Sequence, residues 1–446
     1  MPTTSPTHRL RSALFALCVT AVPAAANAQG VTLTRTERAI VTAVDRRNAD
    51  GLALLERLVN INSGTANHAG VRQVGALLRE RLDALGFTTR WEDATAVDRA
   101  GHLVAEHRGP GPKLLLIGHL DTVFEPGSPF QRFERLNDTT ARGPGVIDMK
   151  GGDVIILQAL TALKEAGALD GMHVVAYFSG DEEDAGRPLT EARRVLREVA
   201  QGAIAAIGLE NGGGDPATAV VARRGATNWT LRTTGTAGHA SQIFREDIGA
   251  GAVFEASRIL TAFYTTLAGE PLLAFNPGLI LGGSNITVDA EGAAGTADGK
   301  HNVIARDVVV TGDIRTISAE QLARTKTAME KIVAQHLPHT TATITFDEGY
   351  PPLPPSAGNE RLLAVYDRAS RDLGTGPVRG VDPARAGAAD VAFINGIVPM
   401  IIDGLGLSGK NDHSDKETAD LRMLPVKSKR LAVMLLRLTQ QEAPRP

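Results

Sequence analysis

Apolar residues recur along the chain with a helical spacing in some segments and as short continuous runs in others. Helical spacing over residues 36–60 and about 71–85, before Gly86, predicts two helices. Apolar runs at 88–91, 103–107, 114–117, from His173 and at 203–211 predict strands, with further helices over 150–165 and 189–199. This alternation predicts an α/β fold with a mostly parallel sheet and helices on both faces.

The pattern changes after Glu210. Residues 220–241 predict paired strands with glycine turns, 248–267 a helix, and 302–316 two short strands. Ser318 and Gln321 predict a capping box for a helix to about 335, and a strand-like segment follows at 341–350. This β-α-β-β-α-β order predicts a small α+β (ferredoxin-like) domain inserted into the larger one. We therefore expect a larger domain in two parts, 29–222 and 348–446, around an inserted domain at 223–347.

The composition is that of a globular protein with more than one core. The chain has 446 residues, of which 43% are hydrophobic and 22% charged. A net charge of -3 and an aromatic content of 4% argue against a nucleic acid partner.

The first 28 residues have the pattern of a signal peptide. Basic residues precede an apolar stretch at 13–22, and Ala26-Asn27-Ala28 is typical of a cleavage site. The stretch is too short to remain as a membrane-spanning helix. The single cysteine, Cys18, lies within it, so the mature chain has no disulfide. We expect an exported, periplasmic protein with no membrane attachment after cleavage.

Charged residues follow apolar runs at several predicted strand ends. In open α/β sheets, ligands bind outside the carboxyl ends of the strands, so we expect these side chains at one edge of the sheet. They are His119, Asp121, Glu182, Glu183, Glu210 and His413, with Asp148 in the turn before a helix.

Each of these residues alone has a simpler interpretation. A single histidine is usually structural, adjacent glutamates in a loop are usually solvated, and Asp148 could cap its helix. Together, two histidines and three carboxylates suit a two-zinc hydrolytic site. One residue of the pair Glu182 and Glu183 would bind metal, and the other would take the proton from the bridging water. Asp121 would fix the tautomer of His119.

Six segments together identify a family resemblance. They are "GHLDTV", "GPGVIDMKGG", "SGDEED", "LENGGGD", "GTAGHAS" and "HSDKE", in this order along the chain. The chain resembles the zinc-dependent amidohydrolase and peptidase superfamily of glutamate carboxypeptidase, aminoacylase and succinyl-diaminopimelate desuccinylase. Within it, the chain is most similar to the exported glutamate carboxypeptidases.

The resemblance implies a role for each residue of the predicted site. It implies that His119 and Glu210 hold one Zn²⁺, that Glu183 and His413 hold the other, and that Asp148 bridges them. Glu182 would be the general base that acts on the metal-activated water. The peptide bond between Asp148 and Met149 would be cis. Co²⁺ or Mn²⁺ would fit the same ligands.

The resemblance also implies that the inserted domain is a lid through which the protein forms a homodimer. His239 would polarise the scissile carbonyl, and in several dimeric relatives this histidine comes from the partner subunit. Asn302 and Arg315 would bind the terminal carboxylate of the substrate. The implied reaction is hydrolysis of the amide bond in peptidyl or N-acyl amino acids with a free C-terminal carboxylate.

The sequence leaves several substrate specificities possible. Thr218 and Tyr350 stand where glutamate-specific relatives carry basic residues, and Arg223, Arg224 or Arg385 could substitute for them. An N-acyl-amino-acid deacylase and a dipeptidase are alternatives in the same superfamily. In another class, a periplasmic solute-binding protein would fit two lobes and an export signal, but it would leave the glutamate pair and the strand-end histidines unexplained. A serine hydrolase is disfavoured because no G-x-S-x-G motif is present.

Overall fold

The computed structural model describes residues 33–212, 214–289 and 292–440. The predicted signal peptide and Cys18 lie outside these residues. The helices are α1 Arg35–Val59, α2 His68–Ala84, α3 Lys150–Glu165, α4 Leu189–Ala192, α5 Arg194–Ala200, α6 Gly251–Leu267, α7 Ala319–Val333, α8 Ala357–Asp372 and α9 Met423–Gln440. Among the residues described, no helix is both long and apolar enough to cross a membrane.

The strands form a main sheet, a second sheet and several small pairings. They are β1 Thr88–Ala94, β2 Arg99–Arg108, β3 Lys113–His119, β4 Glu134–Arg135, β5 Thr140–Arg142, β6 His173–Ser179, β7 Ala205–Gly208, β8 Thr218–Ala219, β9 Gly225–Gly235, β10 Ala274–Gly283, β11 Asn285–Val288, β12 Gly295–Asp298, β13 Asp307–Thr316, β14 Thr340–Phe346, β15 Arg379–Gly380, β16 Ile401–Ile402, β17 Gly409–Lys410 and β18 Thr418–Asp420.

The main sheet has the strand order β1-β2-β6-β3-β7-β16 and is mostly parallel. Strand β3 pairs in parallel with both β6 and β7, while β1 and β2 join the edge in antiparallel fashion. Both faces of β3 are buried: Leu114 and Leu116 pack into one apolar core, and Leu115 and Ile117 pack into another. A strand buried on both faces is expected to be a continuous apolar run, as this one is. The predicted α/β fold is confirmed.

The helix predicted over 189–199 is wrong in one respect, because the structure breaks it at Arg193. The Arg193 side chain is fully buried and bonds Asp181 and Asp390, each at 2.7 Å. Its backbone leaves helical geometry there, at φ -106° and ψ 10°.

The second sheet is antiparallel, with the order β10-β13-β9-β14, and packs against α6 and α7. Its core includes Trp229, Leu231, Ile259, Phe263 and Val310. The predicted β-α-β-β-α-β order is present, with the hairpin β11–β12 added. The boundaries at 222 and 347, and the role of this region as a lid, stay predictions.

Two strand predictions in this region are wrong. The paired strands expected within 220–241 are one long strand, β9, and the two short strands expected within 302–316 are one strand, β13. The glycines at 225 and 235 stand at the ends of β9 rather than in a turn. Strand β10 was missed because Pro277 and Gly278 look like a turn, whereas they form an irregularity in the pairing with β13.

Candidate dinuclear metal centre

The candidate ligands stand at the carboxyl ends of three neighbouring strands. His119 is the last residue of β3, Glu182 and Glu183 follow β6, and Glu210 follows β7. Because β3 pairs with both other strands, the three ends meet at one edge of the sheet. Asp148 lies two residues before α3, and His413 lies in the loop after β17.

Asp148 lies between the two histidines. Its Oδ1 is 3.1 Å from His119 Nε2, and its Oδ2 is 3.0 Å from His413 Nε2. His119 Nε2 is also 3.2 Å from Glu210 Oε1, and His413 Nε2 is 3.2 Å from Glu183 Oε2. The geometry therefore consists of two histidine–glutamate pairs that share one carboxylate. The peptide bond between Asp148 and Met149 is cis.

The donor atoms fit divalent cations. Ligand atoms of His119, Asp148 and Glu183 lie within 4.8 Å of one another, and so do those of His119, Glu182 and Glu210. Glu183 Oε1 is buried and has no hydrogen-bond partner among the residues described. A buried carboxylate oxygen without a donor is costly unless a cation lies beside it. Imidazole nitrogen and carboxylate oxygen are ligands that Zn²⁺ accepts.

The carboxylates of this cluster are buried and crowded together, and both effects shift the pKa values of several residues. Burial, followed by the charge of Asp148, raises the pKa of Glu183 to about 8 and that of Glu210 to about 7. Hydrogen bonds to Asp148 and Glu183 raise the pKa of His413 to about 11. Without metal, protons thus balance the negative charge; divalent cations at the same place would displace them.

Asp121 is fully buried and holds several parts of the site. His119 Nδ1 lies 3.3 Å from its Oδ1 and 3.1 Å from its backbone carbonyl oxygen. The same carboxylate accepts the backbone N–H groups of Glu182 at 3.1 Å and Glu183 at 3.0 Å. The Thr65 hydroxyl donates to it at 2.7 Å. Asp121 therefore positions the histidine and the glutamate pair together.

Two further buried carboxylates, which were not predicted from the sequence, hold the loops that carry the other candidate ligands. Glu417 accepts the backbone N–H groups of Gly145, Ile147 and Asp148, at 2.9, 2.8 and 3.2 Å. Asp403 accepts the N–H of Glu210 at 3.3 Å. Glu417 was detectable, because it ends the segment "HSDKE" that contains His413. Asp403 had no comparable signal.

Tyr350 and Thr218 do not present free polar groups to a substrate. The Tyr350 hydroxyl donates to the carbonyl oxygen of Glu182 at 2.9 Å and accepts from Arg193 at 2.7 Å. The Thr218 hydroxyl donates to the carbonyl oxygen of Asp215 at 2.8 Å. Tyr350 therefore supports the Glu182 loop.

His239, Asn302 and Arg315 stand at two different ends of the second sheet. Arg315 pairs across strands with Ala226, which lies beside Tyr350, whereas His239 and Asn302 lie next to each other beyond the far end of β9. A cleft of about 500 Å³ opens beside Asp148, Glu182, Glu183, Glu210 and His413, and none of those three residues is among the described residues that line it. His239 Nδ1 lies 2.8 Å from the Ser241 hydroxyl, and the Asn302 carbonyl accepts the N–H of Ala240. Arg315 donates to Asp313 at 2.6 Å.

Sequence and structure comparisons place these observations among known proteins. The sequence model of peptidase family M20/M25/M40 matches residues 115–437. Carboxypeptidase G2 of Pseudomonas sp. (strain RS-16) is 27% identical over 424 residues, which are 93% of this chain and 96% of that protein.

Solved structures show the same fold. A tripeptidase from Staphylococcus aureus superposes with a TM-score of 0.70 at 19% identity, covering 88% of this chain and 99% of that one. A dinuclear metal-binding peptidase from Bacillus subtilis superposes with a TM-score of 0.61 at 17% identity, covering 89% and 99%.

Proposed function

The chain belongs to peptidase family M20/M25/M40, and from this premise we propose that it removes a C-terminal amino acid from peptides or N-acyl amino acids. Family membership makes it a metal-dependent peptidase or amidohydrolase, which confirms the predicted superfamily and enzyme class and disfavours a solute-binding protein. The observation that carries the proposal is the pair of histidine–glutamate contacts, His119 with Glu210 and His413 with Glu183, in which both histidines also contact Asp148. The name of the relative, carboxypeptidase G2, supports release of a C-terminal residue.

The proposed cofactors are two zinc ions. His119 and Glu210 would hold one, Glu183 and His413 the other, and Asp148 both, in agreement with the contacts of 3.0–3.2 Å among these side chains. The shared carboxylate and the buried Glu183 oxygen support this assignment. When bound, such ions supply Lewis acidity and a water of lowered pKa. Cobalt or manganese would suit the same donors.

Glu182 is the proposed general base. Its backbone is held on one side by Asp121 and on the other by the Tyr350 hydroxyl. Burial, followed by the charges of Glu210 and Asp390, raises the pKa of Glu182 well above its usual value. Cations beside it would offset that rise. The Glu182 carboxylate would accept a proton from the attacking water and pass it to the leaving amide nitrogen.

His239, Asn302 and Arg315 are proposed to act on the substrate, with His239 reaching the site of a partner subunit. Strand β9 begins beside Tyr350, since Ala226 pairs with that residue, and it runs for 11 residues away from it. At about 3.3 Å per residue the far end lies roughly 33 Å from its start, and His239 follows that end. His239 is therefore far from its own metal centre.

A homodimer through the second sheet region is also proposed, because aromatic side chains are exposed there. Phe244, five residues after His239, is 67% exposed, and Phe254 is 48% exposed. The centroids of these two rings are 5.4 Å apart. Tyr264, on the same helix as Phe254, is 68% exposed. An exposed pair of aromatic rings such as Phe244 and Phe254 is typical of a protein interface. Export to the periplasm is proposed from the pattern of residues 1–28.

The test is a hydrolysis screen with the zinc-loaded mature protein. The substrates are N-benzoyl amino acids, N-acetyl amino acids, unblocked dipeptides and folate-type glutamates, each with and without chelator. We expect chelator-sensitive release of the C-terminal amino acid, restored by added zinc. Turnover of unblocked dipeptides alone would identify a dipeptidase, preference for short N-acyl groups would identify a deacylase, and chelator-resistant turnover would contradict the proposal.

A further inference from the structure

Cationic side chains line the same cleft as the proposed metal ligands. Arg223, Arg385 and Lys410 all contribute to its surface. A substrate with a free carboxylate would enter a space in which Asp148, Glu182, Glu183 and Glu210 are already present. A carboxylate there needs a cationic partner, and the question is which of the three is available.

Arg223 and Arg224 are committed to the protein itself. The Nε of Arg223 donates to Asp403 Oδ2 at 2.8 Å, and one of its terminal nitrogens donates to the Gly387 carbonyl at 2.9 Å. Arg224 donates to the Ala384 carbonyl at 2.7 Å. These two arginines therefore hold the chain on both sides of Arg385.

Arg385 is presented to the cleft from a firmly held turn. Asp382 opens the turn, because its side chain accepts the N–H of Ala384 at 2.9 Å. The carbonyls of Ala384 and Gly387 are fixed by Arg224 and Arg223. Within the described parts of the chain, no side chain or carbonyl pairs with the Arg385 guanidinium. The backbone of the turn is held by hydrogen bonds, while the Arg385 guanidinium is available to bind a ligand.

The turn is also linked to the metal centre. Asp403 accepts a hydrogen bond from Arg223 and another from the N–H of Glu210. The backbone beside Arg385 is thus connected to Glu210 through hydrogen bonds of Arg223 and Asp403 that are buried or partly buried. Such pre-organisation is what a specificity-determining residue requires.

We infer that Arg385 binds a carboxylate of the substrate, an inference that rests on the proposed function. The planar guanidinium matches a carboxylate with two parallel hydrogen bonds, which the point charge of Lys410 does not. The carboxylate is either the side chain of a C-terminal glutamate or aspartate or the terminal carboxylate of any residue. The substrate class is an N-acyl or peptidyl amino acid with this group near the scissile amide.

The test compares wild type with Arg385→Gln on N-benzoyl-glutamate, N-benzoyl-glutamine and N-benzoyl-leucine. Loss of a charge-assisted hydrogen bond lowers kcat/KM by about 10- to 100-fold, mostly through KM. A loss on the glutamate substrate alone identifies the side-chain carboxylate, and an equal loss on all three identifies the terminal carboxylate. Unchanged kcat/KM on all three overturns the inference. Arg361→Gln, at an exposed arginine of α8, is the matched control and should change nothing.

A binding measurement separates this inference from the proposed function. If wild type hydrolyses no substrate, the proposed function fails while Arg385 can still be tested by calorimetry with free glutamate, glutamine and leucine. Tighter binding of glutamate by wild type that Arg385→Gln removes would support the side-chain role, and weaker binding of all three would support the terminal role. Equal binding by wild type and variant, or no binding to wild type, would overturn the inference.

Discussion

The carboxyl edge of the main sheet and the far end of the second sheet differ in how they hold their candidate catalytic residues. At the first, buried carboxylates fix His119, the glutamate pair and Asp148 in place. At the second, His239 is exposed and its ring has a hydrogen-bonding contact only with Ser241 among the residues described. The first group of candidate residues lies together within one chain, whereas His239 is not among the described residues that line the cleft beside that group.

This difference indicates how the proposed activity is divided. A metal centre needs ligands held to within a fraction of an ångström, and rigid strand ends supply that. A residue that contacts the substrate from a second subunit needs exposure instead. We therefore expect variants at the two places to fail in different ways: loss of metal or chemistry at the first, and dependence on the partner at the second.

The largest effect is expected from Glu182→Gln. The variant keeps the proposed metal ligands but lacks the proposed proton acceptor, so kcat should fall by about 10³- to 10⁴-fold while the metal content stays that of wild type. Steady-state kinetics with elemental analysis would check this. Glu191→Gln, at an exposed glutamate paired with Arg194, is the control. Retained turnover in Glu182→Gln would remove Glu182 from the mechanism.

The next effect is expected from His239→Ala, with a loss of about 10²- to 10³-fold in kcat and unchanged metal content. If His239 acts across the dimer, mixing His239→Ala with Glu182→Gln should restore about one quarter of wild-type activity, because half of the random dimers then contain one intact site. The mixture would be assayed after subunit exchange. Activity no higher than that of the two separate variants would show that His239 does not act in trans.

A smaller effect is expected from Glu417→Gln, which replaces an acceptor of three backbone N–H groups by an amide. The loop that carries Asp148 should loosen, and the metal dissociation constant should rise by about 10- to 100-fold. Competition with a chromophoric chelator would measure it. Asp415→Asn, two residues away and exposed, is the control. Equal affinities would mean that the loop keeps its shape without Glu417.

The smallest effect concerns Lys427 of α9, which is fully buried and donates a hydrogen bond to the Gly404 carbonyl. Burial lowers the pKa of Lys427 to about 7, so between about pH 7 and 10 the unfolded chain binds a proton that the folded chain does not. The free energy of unfolding should therefore rise with pH across this range. Lys427→Met should raise the free energy of unfolding by about 1–2 kcal/mol relative to wild type at pH 7. This difference between variant and wild type should become smaller towards pH 10.

Urea unfolding of both proteins at several pH values would measure this difference. Lys150, whose pKa burial also lowers to about 7, contributes to the slope in both proteins, so the difference between them isolates Lys427. If the difference in unfolding free energy between Lys427→Met and wild type does not change with pH, the lowered pKa of Lys427 is contradicted.

The sequence predicted the main sheet, and the grouping of candidate residues at its edge, better than it predicted the second sheet. Strand β3 is apolar on both faces and ends on His119, so its pattern was unambiguous. Strand β10 is half exposed and contains Pro277, so it resembled a turn. The segment "HSDKE" contains Glu417, but the role of this residue was missed because its partners are backbone groups 269 to 272 residues away along the chain. Similarly, the break at Arg193 depends on its bond to Asp390, which no local pattern reveals.

We expect one chain to hold a complete two-metal centre around Asp148. The most direct measurement is the number of zinc ions per chain, by elemental analysis after zinc loading and removal of excess metal, in wild type, His239→Ala and Asp148→Asn. We expect two per chain in wild type and in His239→Ala, and fewer than one in Asp148→Asn. One ion per wild-type chain, or two in Asp148→Asn, would contradict the claim.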